Sequence, residues 1–154
     1  KLIRATINPG IKIILEIVDD PKIIGDQNQL HQVVMNLCTN AYQSIVAEEG
    51  TIKISLVTVL LSPHEAIDVG RLPPGEYACI QIYDNGIGIP DEYMHRIFDP
   101  YFTTKKLNQG TGLGLSVVHG IVNDHRGAIT VESEAGQGSC FKVYLPITVE
   151  ETEA

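Results

Sequence analysis

Leu30-His31-Gln32-Val33-Val34-Met35-Asn36-Leu37-Cys38-Thr39-Asn40-Ala41-Tyr42-Gln43-Ser44-Ile45 is the stretch from which the rest of the chain can be read. Leu30, Val34, Leu37, Ala41 and Ile45 recur at helical spacing and form one apolar stripe. The pattern predicts an amphipathic helix over 26–47, with Asp26 as its N-cap and Gly50 closing the region. Asn36 and Asn40 are four residues apart and share a face, flanked by Gln32 and Gln43. This polar strip runs beside the apolar stripe rather than opposite it, as expected at an interface or a cleft. An amide oxygen is a hard, neutral ligand that Mg²⁺ accepts. Taken alone, the pair reads more simply as a solvated helix face.

Outward from this helix the hydrophobic period changes to two. Strands are predicted over 11–18, 51–61, 76–84, 128–134 and 139–145, the last two joined as a hairpin through Glu134-Ala135-Gly136-Gln137-Gly138. Three prolines and two glycines in 62–75 predict a loop there. The glycine-rich segment 85–115 holds only a short helical patch near 91–97, and a second helix is expected over 115–125. So long an irregular segment in a compact domain is expected to bind something or to move. The order lacks the strict strand–helix alternation of a doubly wound sheet. The expected fold is an α/β (α+β) two-layer sandwich. Its sheet is mixed and mostly antiparallel, with helices packed on one face, all in a single domain over 1–154 with a loose acidic tail at 150–154.

The formal charge of −8 over 154 residues repels nucleic acid, so no such partner is expected. The apolar run 56–61 is too short to cross a bilayer, no signal-peptide pattern opens the chain, and no direct membrane contact is expected. The sequence starts at Lys1 without Met, which suggests a piece excised from a longer protein. The three cysteines, Cys38, Cys79 and Cys140, form neither a CxxC nor a Cys/His cluster. A reducing cytoplasm fits them best, with the parent protein free to carry an inner-membrane anchor.

Several motifs carry chemistry. Asp84-Asn85-Gly86-Ile87-Gly88-Ile89-Pro90 follows a strand directly, so a strand-end acid can accept from a ligand amine while the glycines let backbone approach a flat ring. A tight turn explains the same residues about as well. Gly110-Thr111-Gly112-Leu113-Gly114-Leu115 opens a helix, where backbone N–H groups cradle phosphate. Neither a Rossmann fingerprint nor a GxxxxGK[ST] loop is present. Lys105 and Lys106 stand just before it, and Gly136-Gln137-Gly138-Ser139 opens the last strand, where a hairpin turn is the plain explanation.

In this order the motifs resemble the histidine-kinase branch of the ATPase family that also holds gyrase, the heat-shock chaperone ATPases and the mismatch-repair ATPases. Asn36-Leu37-Cys38-Thr39-Asn40-Ala41 looks like the N box, and the Asp84 and Gly110 segments look like the first two glycine boxes. Gly136-Gln137-Gly138-Ser139 looks like the third. Phe98-Asp99-Pro100-Tyr101-Phe102-Thr103-Thr104-Lys105 looks like the F box, the most specific of them, and points to the nitrogen-regulator-like group.

The resemblance implies a Mg-ATP-binding catalytic domain of a sensor histidine kinase. Asp84 would accept from the adenine amine, supported by Ser139 through its hydroxyl or a water. Gly86, Gly88, Ile89 and Phe98 would line the ATP site. Asn40 would ligate Mg²⁺, with Asn36 beside metal and phosphates. Thr104, Lys105 and the run Gly110, Thr111, Gly112, Leu113, Gly114 and Leu115 would hold the phosphates, with 98–112 as a lid. Asn36, Asn40 and Lys105 would carry the catalysis. The implied partners are the dimerisation and phosphoacceptor domain of the same parent and the receiver domain of a response regulator, with the isolated domain a monomer. Two departures stand out. Related members often carry Lys and then an aromatic where this chain has Gln43 and Ser44, and Ser139 stands where Thr is common. Tyr42 is then a candidate aromatic wall, with a core-facing position as the alternative.

Overall fold

The computed structural model describes residues 9–100, 102 and 114–148. Five strands form one sheet: β1 (Ile11–Ile17), β2 (Gly50–Leu61), β3 (Gly75–Asp84), β4 (Ala128–Glu134) and β5 (Gly138–Pro146), in the spatial order β1-β2-β3-β5-β4. β1 runs parallel to β2 and the remaining pairs are antiparallel. Among the described residues, three α-helices accompany the sheet: α1 (Gln27–Ser44), α2 (Pro63–Gly70) and α3 (Gly114–Asp124). The mixed, mostly antiparallel sandwich expected from the sequence is the observed architecture.

Alternation along the strands sorts the core. Ile52, Ile82, Phe141 and Val143 point to the face that receives Val33, Leu37 and Ala41 of α1 and Val118, Ile121 and Val122 of α3. Asp26 caps α1 as expected, its carboxylate accepting from the N–H groups of Asn28 and Gln29 at 2.9 and 3.0 Å. The helix ends at Ser44 rather than at residue 47, because Ile45 is already extended. His125 bridges the two helices. Its Nδ1 lies 2.8 Å from the Ile121 carbonyl, and its Nε2 accepts from the Asp26 N–H at 3.1 Å.

The segment 62–75, expected as a loop, contains α2. Ser62 and Glu65 form a reciprocal capping box, with Pro63 in the first turn. These backbone and side-chain hydrogen bonds from Ser62 hold the Glu65 carboxyl below its usual range. α2 buries Ala66 in a second, smaller cluster with Leu61, Tyr77, Cys79 and Tyr144. These strand residues alternate with the main-core residues, so α2 covers one end of the opposite sheet face, and only α1 and α3 share the one face on which all helices were expected. The helical patch near 91–97 is a short 3-10 turn, Asp91–Tyr93. No described helix is long and apolar enough to cross a membrane.

Candidate functional site

Asp84 is the last residue of β3 and is 1 % exposed on the α1/α3 side of the sheet. Burying a carboxylate is costly unless donors meet it. Two do. The Gly86 N–H donates to Oδ1 at 2.9 Å, and Ser44 Oγ lies 2.9 Å from the same oxygen. Ser44 Oγ is also 2.9 Å from the Ala41 carbonyl, so its one proton is shared between these two acceptors.

The loop after Asp84 is clamped from both sides. The Ile87 N–H donates to the Ser44 carbonyl at 2.9 Å, satisfying one of the carbonyls a helix end leaves open. On the other side, the Gly136 N–H donates to the Ile87 carbonyl at 2.7 Å. A Cβ at Gly86 would sit 2.4 Å from the Ser44 carbonyl oxygen, so only glycine permits this approach. Gly88 has φ +72°, and a Cβ there would meet the Glu134 carbonyl oxygen at 2.2 Å. Ile89 donates its N–H to Ser133 Oγ at 2.7 Å and packs its side chain on the main core.

Ser139 stands directly opposite Asp84 across β3 and β5, and Ser133 directly opposite Ser139 across β5 and β4. The two serine hydroxyls are 2.8 Å apart. A row of polar side chains therefore ends the sheet on its helix side, and the sequence reading found only two of the three.

One turn of α1 separates Ser44 from Asn40, and another separates Asn40 from Asn36. All three lie on one helix face, spanning ~12 Å along the axis at the helical rise per residue. At the far end Asn36 Nδ2 donates to the Gly114 carbonyl, at 3.3 Å, where α3 begins. This α1 face thus runs from the Asp84 carboxylate to the N-terminus of α3. The two ends differ electrically. α1 has no basic residue in its last turn, so its negative end and the Asp84 carboxylate make this end of the face negative. α3 has no acidic residue in its first turn, so its positive end is left to attract an anion.

Leu115 and Phe98 pack against the main core, and Phe98 also lies 5.2 Å, ring to ring, from His119 of α3. Tyr42 likewise packs on the core. The expected roles of Thr104, Lys105, Gly110, Thr111, Gly112 and Leu113 fall outside the described residues, as does most of the expected lid. Among the described residues no group of three or more His, Cys, Asp or Glu side chains converges into a metal set. Burial pushes the Cys38 thiol, between the two asparagines in sequence, up to about 11, so it is an inert core group.

Ser44 and Ser133 are the residues that sequence reasoning missed. Ser44 stood out only as a departure, although its i+4 spacing from Asn40 continues the polar strip. Ser133 lies in a regular alternating strand and gave no signal of its own.

Residues 25–149 match the family described as histidine kinase-, DNA gyrase B-, and HSP90-like ATPase. The sensor kinase CckA of Brucella abortus (strain 2308) is 38% identical over 130 residues, covering 84% of this chain and 14% of that protein. The chain therefore spans about a seventh of the length of that relative. The nucleotide-free catalytic domain of histidine kinase ThkA superposes with a TM-score of 0.69 at 31% identity, covering 89% of this chain and 79% of the other. Full-length ShkA, solved in complex with AMPPNP, superposes with a TM-score of 0.69 at 26% identity, covering 95% of this chain and 28% of the other. The fold agrees with these likenesses, and the chain belongs to the histidine kinase-, DNA gyrase B- and HSP90-like ATPase family as a sensor histidine kinase ATP-binding domain.

Proposed function

We propose that this domain binds Mg-ATP along the α1 face and delivers the γ-phosphoryl group to a histidine on a separate dimerisation domain, from which it passes to a response-regulator aspartate. The observation that carries this is the polarity of the α1 face: a buried carboxylate, Asp84, at one end and the N-terminus of α3, at Gly114, at the other, joined by Ser44, Asn40 and Asn36. A nucleotide has the matching polarity, with an amine on the base at one end and phosphates at the other.

Asp84 accepts from the adenine amine, and Ser139 supports the base beside it. The Gly86 and Gly88 backbone gives the ring a flat floor. Phosphates lie towards the N-terminus of α3, and Lys105, Gly110, Thr111, Gly112 and Leu113 are the residues we assign to holding them. Asn36 commits its Nδ2 to Gly114, which leaves its amide oxygen as the acceptor atom, and Asn40 offers a second amide on the same face. Such oxygens fit Mg²⁺, which is held mainly by phosphates and water and takes few protein ligands. When bound, Mg²⁺ neutralises charge on the transferring phosphoryl group.

Asn36 also bears on the reaction type. An amide takes up no proton, so Asn36 is unsuited to activate water as a general base. Neutral imidazole needs no such base. Transfer to histidine fits this side chain better than hydrolysis does. The test supplies the domain with γ-labelled ATP and a purified helical-hairpin acceptor domain in trans. Acid-labile label on the acceptor, lost in Asn40→Ala, is the expected result. Steady release of free phosphate without labelled acceptor would assign the site to a hydrolase instead.

A further inference from the structure

Ser133 belongs to none of the motifs, yet its hydroxyl touches two of them. It accepts from the Ile89 N–H at 2.7 Å, and lies 3.0 Å from the Gly138 carbonyl and 2.8 Å from Ser139 Oγ. A hydroxyl has one proton and two lone pairs. Ile89 occupies one lone pair, which leaves two arrangements for the serine pair. In the first, Ser133 donates to the Gly138 carbonyl and accepts from Ser139, so Ser139 turns only lone pairs towards a ligand. In the second, Ser133 donates to Ser139, and the Ser139 proton is released to meet an acceptor.

Asp84, facing Ser139 across the strand pair, accepts as a carboxylate. A base whose amine donates to Asp84 carries a ring nitrogen acceptor next to that amine, and this acceptor needs a donor beside the carboxylate. Only the second arrangement lets the Ser139 hydroxyl itself donate to that nitrogen. A base with a carbonyl in place of the amine meets the carboxylate oxygen to oxygen and is rejected.

We propose that Ser133 is a positioning residue for base recognition: it turns the buried Ser139 hydroxyl into the donor that reads the ring nitrogen beside the amine. The proposal rests on the nucleotide-binding function of the cleft.

Calorimetric titration of the chain with ADP, 1-deaza-ADP and 7-deaza-ADP tests it. 1-Deaza-ADP keeps the amine and lacks the neighbouring nitrogen, whereas 7-deaza-ADP keeps both. Ser133→Ala is expected to weaken ADP and 7-deaza-ADP about three- to tenfold, the range for one neutral hydrogen bond. It is expected to bind 1-deaza-ADP as the unaltered chain does. Ser133→Thr, which keeps the hydroxyl and suits a strand, restores the ADP affinity. Ser133→Cys keeps the size but donates weakly, so it shows the same selective loss and serves if the alanine variant does not fold. Equal weakening of all three ligands would make Ser133 a merely structural residue and overturn the proposal. So would an undiminished ADP affinity in both the alanine and cysteine variants. If the unaltered chain binds none of the three, the nucleotide function itself fails and the proposal falls with it.

Discussion

Ser44 Oγ, in the last turn of α1, lies 2.9 Å from Asp84 Oδ1 at the end of β3, forty positions along the chain. That contact ties the helix carrying the two asparagines to the buried carboxylate at the end of the proposed nucleotide site. Ser44→Ala removes a donor from a buried carboxylate. It is expected to lower stability by about 1–2 kcal/mol and adenine-nucleotide affinity about three- to tenfold. Chemical denaturation and an ADP titration on the same preparation measure both. Loss of stability with unchanged affinity would reduce Ser44 to a structural role.

Gly88→Ala meets two obstacles at once, the positive φ and the Glu134 carbonyl oxygen at 2.2 Å from the new Cβ. The backbone strain alone costs about 1–3 kcal/mol. The variant is expected to melt several degrees lower and to lose nucleotide binding, because the loop must leave the Glu134–Gly136 turn. Thermal melts and a fluorescent-nucleotide displacement assay report the two effects.

Ser62→Ala provides the contrast. It breaks the capping box of α2, on the sheet face away from the cleft. A lost cap costs about 0.5–2 kcal/mol. Stability is expected to fall by that amount in urea unfolding, while ADP affinity stays the same.

Cys38 gives the chain an alkaline signature. Burial raises its folded-state value from 9.0 to about 11. Below pH 9 the thiol is protonated in both states, and its contribution to stability is fully present. As pH rises from 9 to 11 the unfolded chain loses the proton while the folded chain holds it. Stability is then lost, by about 2–3 kcal/mol at the upper end. Burial shifts Cys79, Tyr77 and Tyr144 in the same direction. Cys38→Ala is therefore expected to flatten the alkaline fall in unfolding free energy without abolishing it. Iodoacetamide at pH 8 should label Cys38 only after unfolding.

The parts of the fold that were legible in the sequence are those where one pattern dominates. The period of α1 and the alternation of the strands each follow from burying one face, and Asp26 caps α1 where expected. α2 was hidden by the count of prolines and glycines between 62 and 75. Yet Ser62-Pro63-His64-Glu65 spelled a capped helix start, because proline in the first turn favours a helix rather than breaking it. At the site, Asp84 and the two asparagines stood out in the sequence as candidates by motif order. Ser44 and Ser133 did not, since each works through a partner brought to it by strand register or helix packing across 40 and 44 residues. Local pattern carries no record of such pairs.

Asp84→Asn tests the nucleotide cleft most directly. The amide keeps the shape and an oxygen able to accept from Gly86, and it turns a donor towards the ligand amine in place of an acceptor. Calorimetry with ADP and Mg²⁺ should give saturable binding to the unaltered chain and at least about tenfold weaker binding to the variant, with the same far-ultraviolet circular dichroism. Equal affinities for the two proteins would contradict Asp84 as the base-binding acceptor.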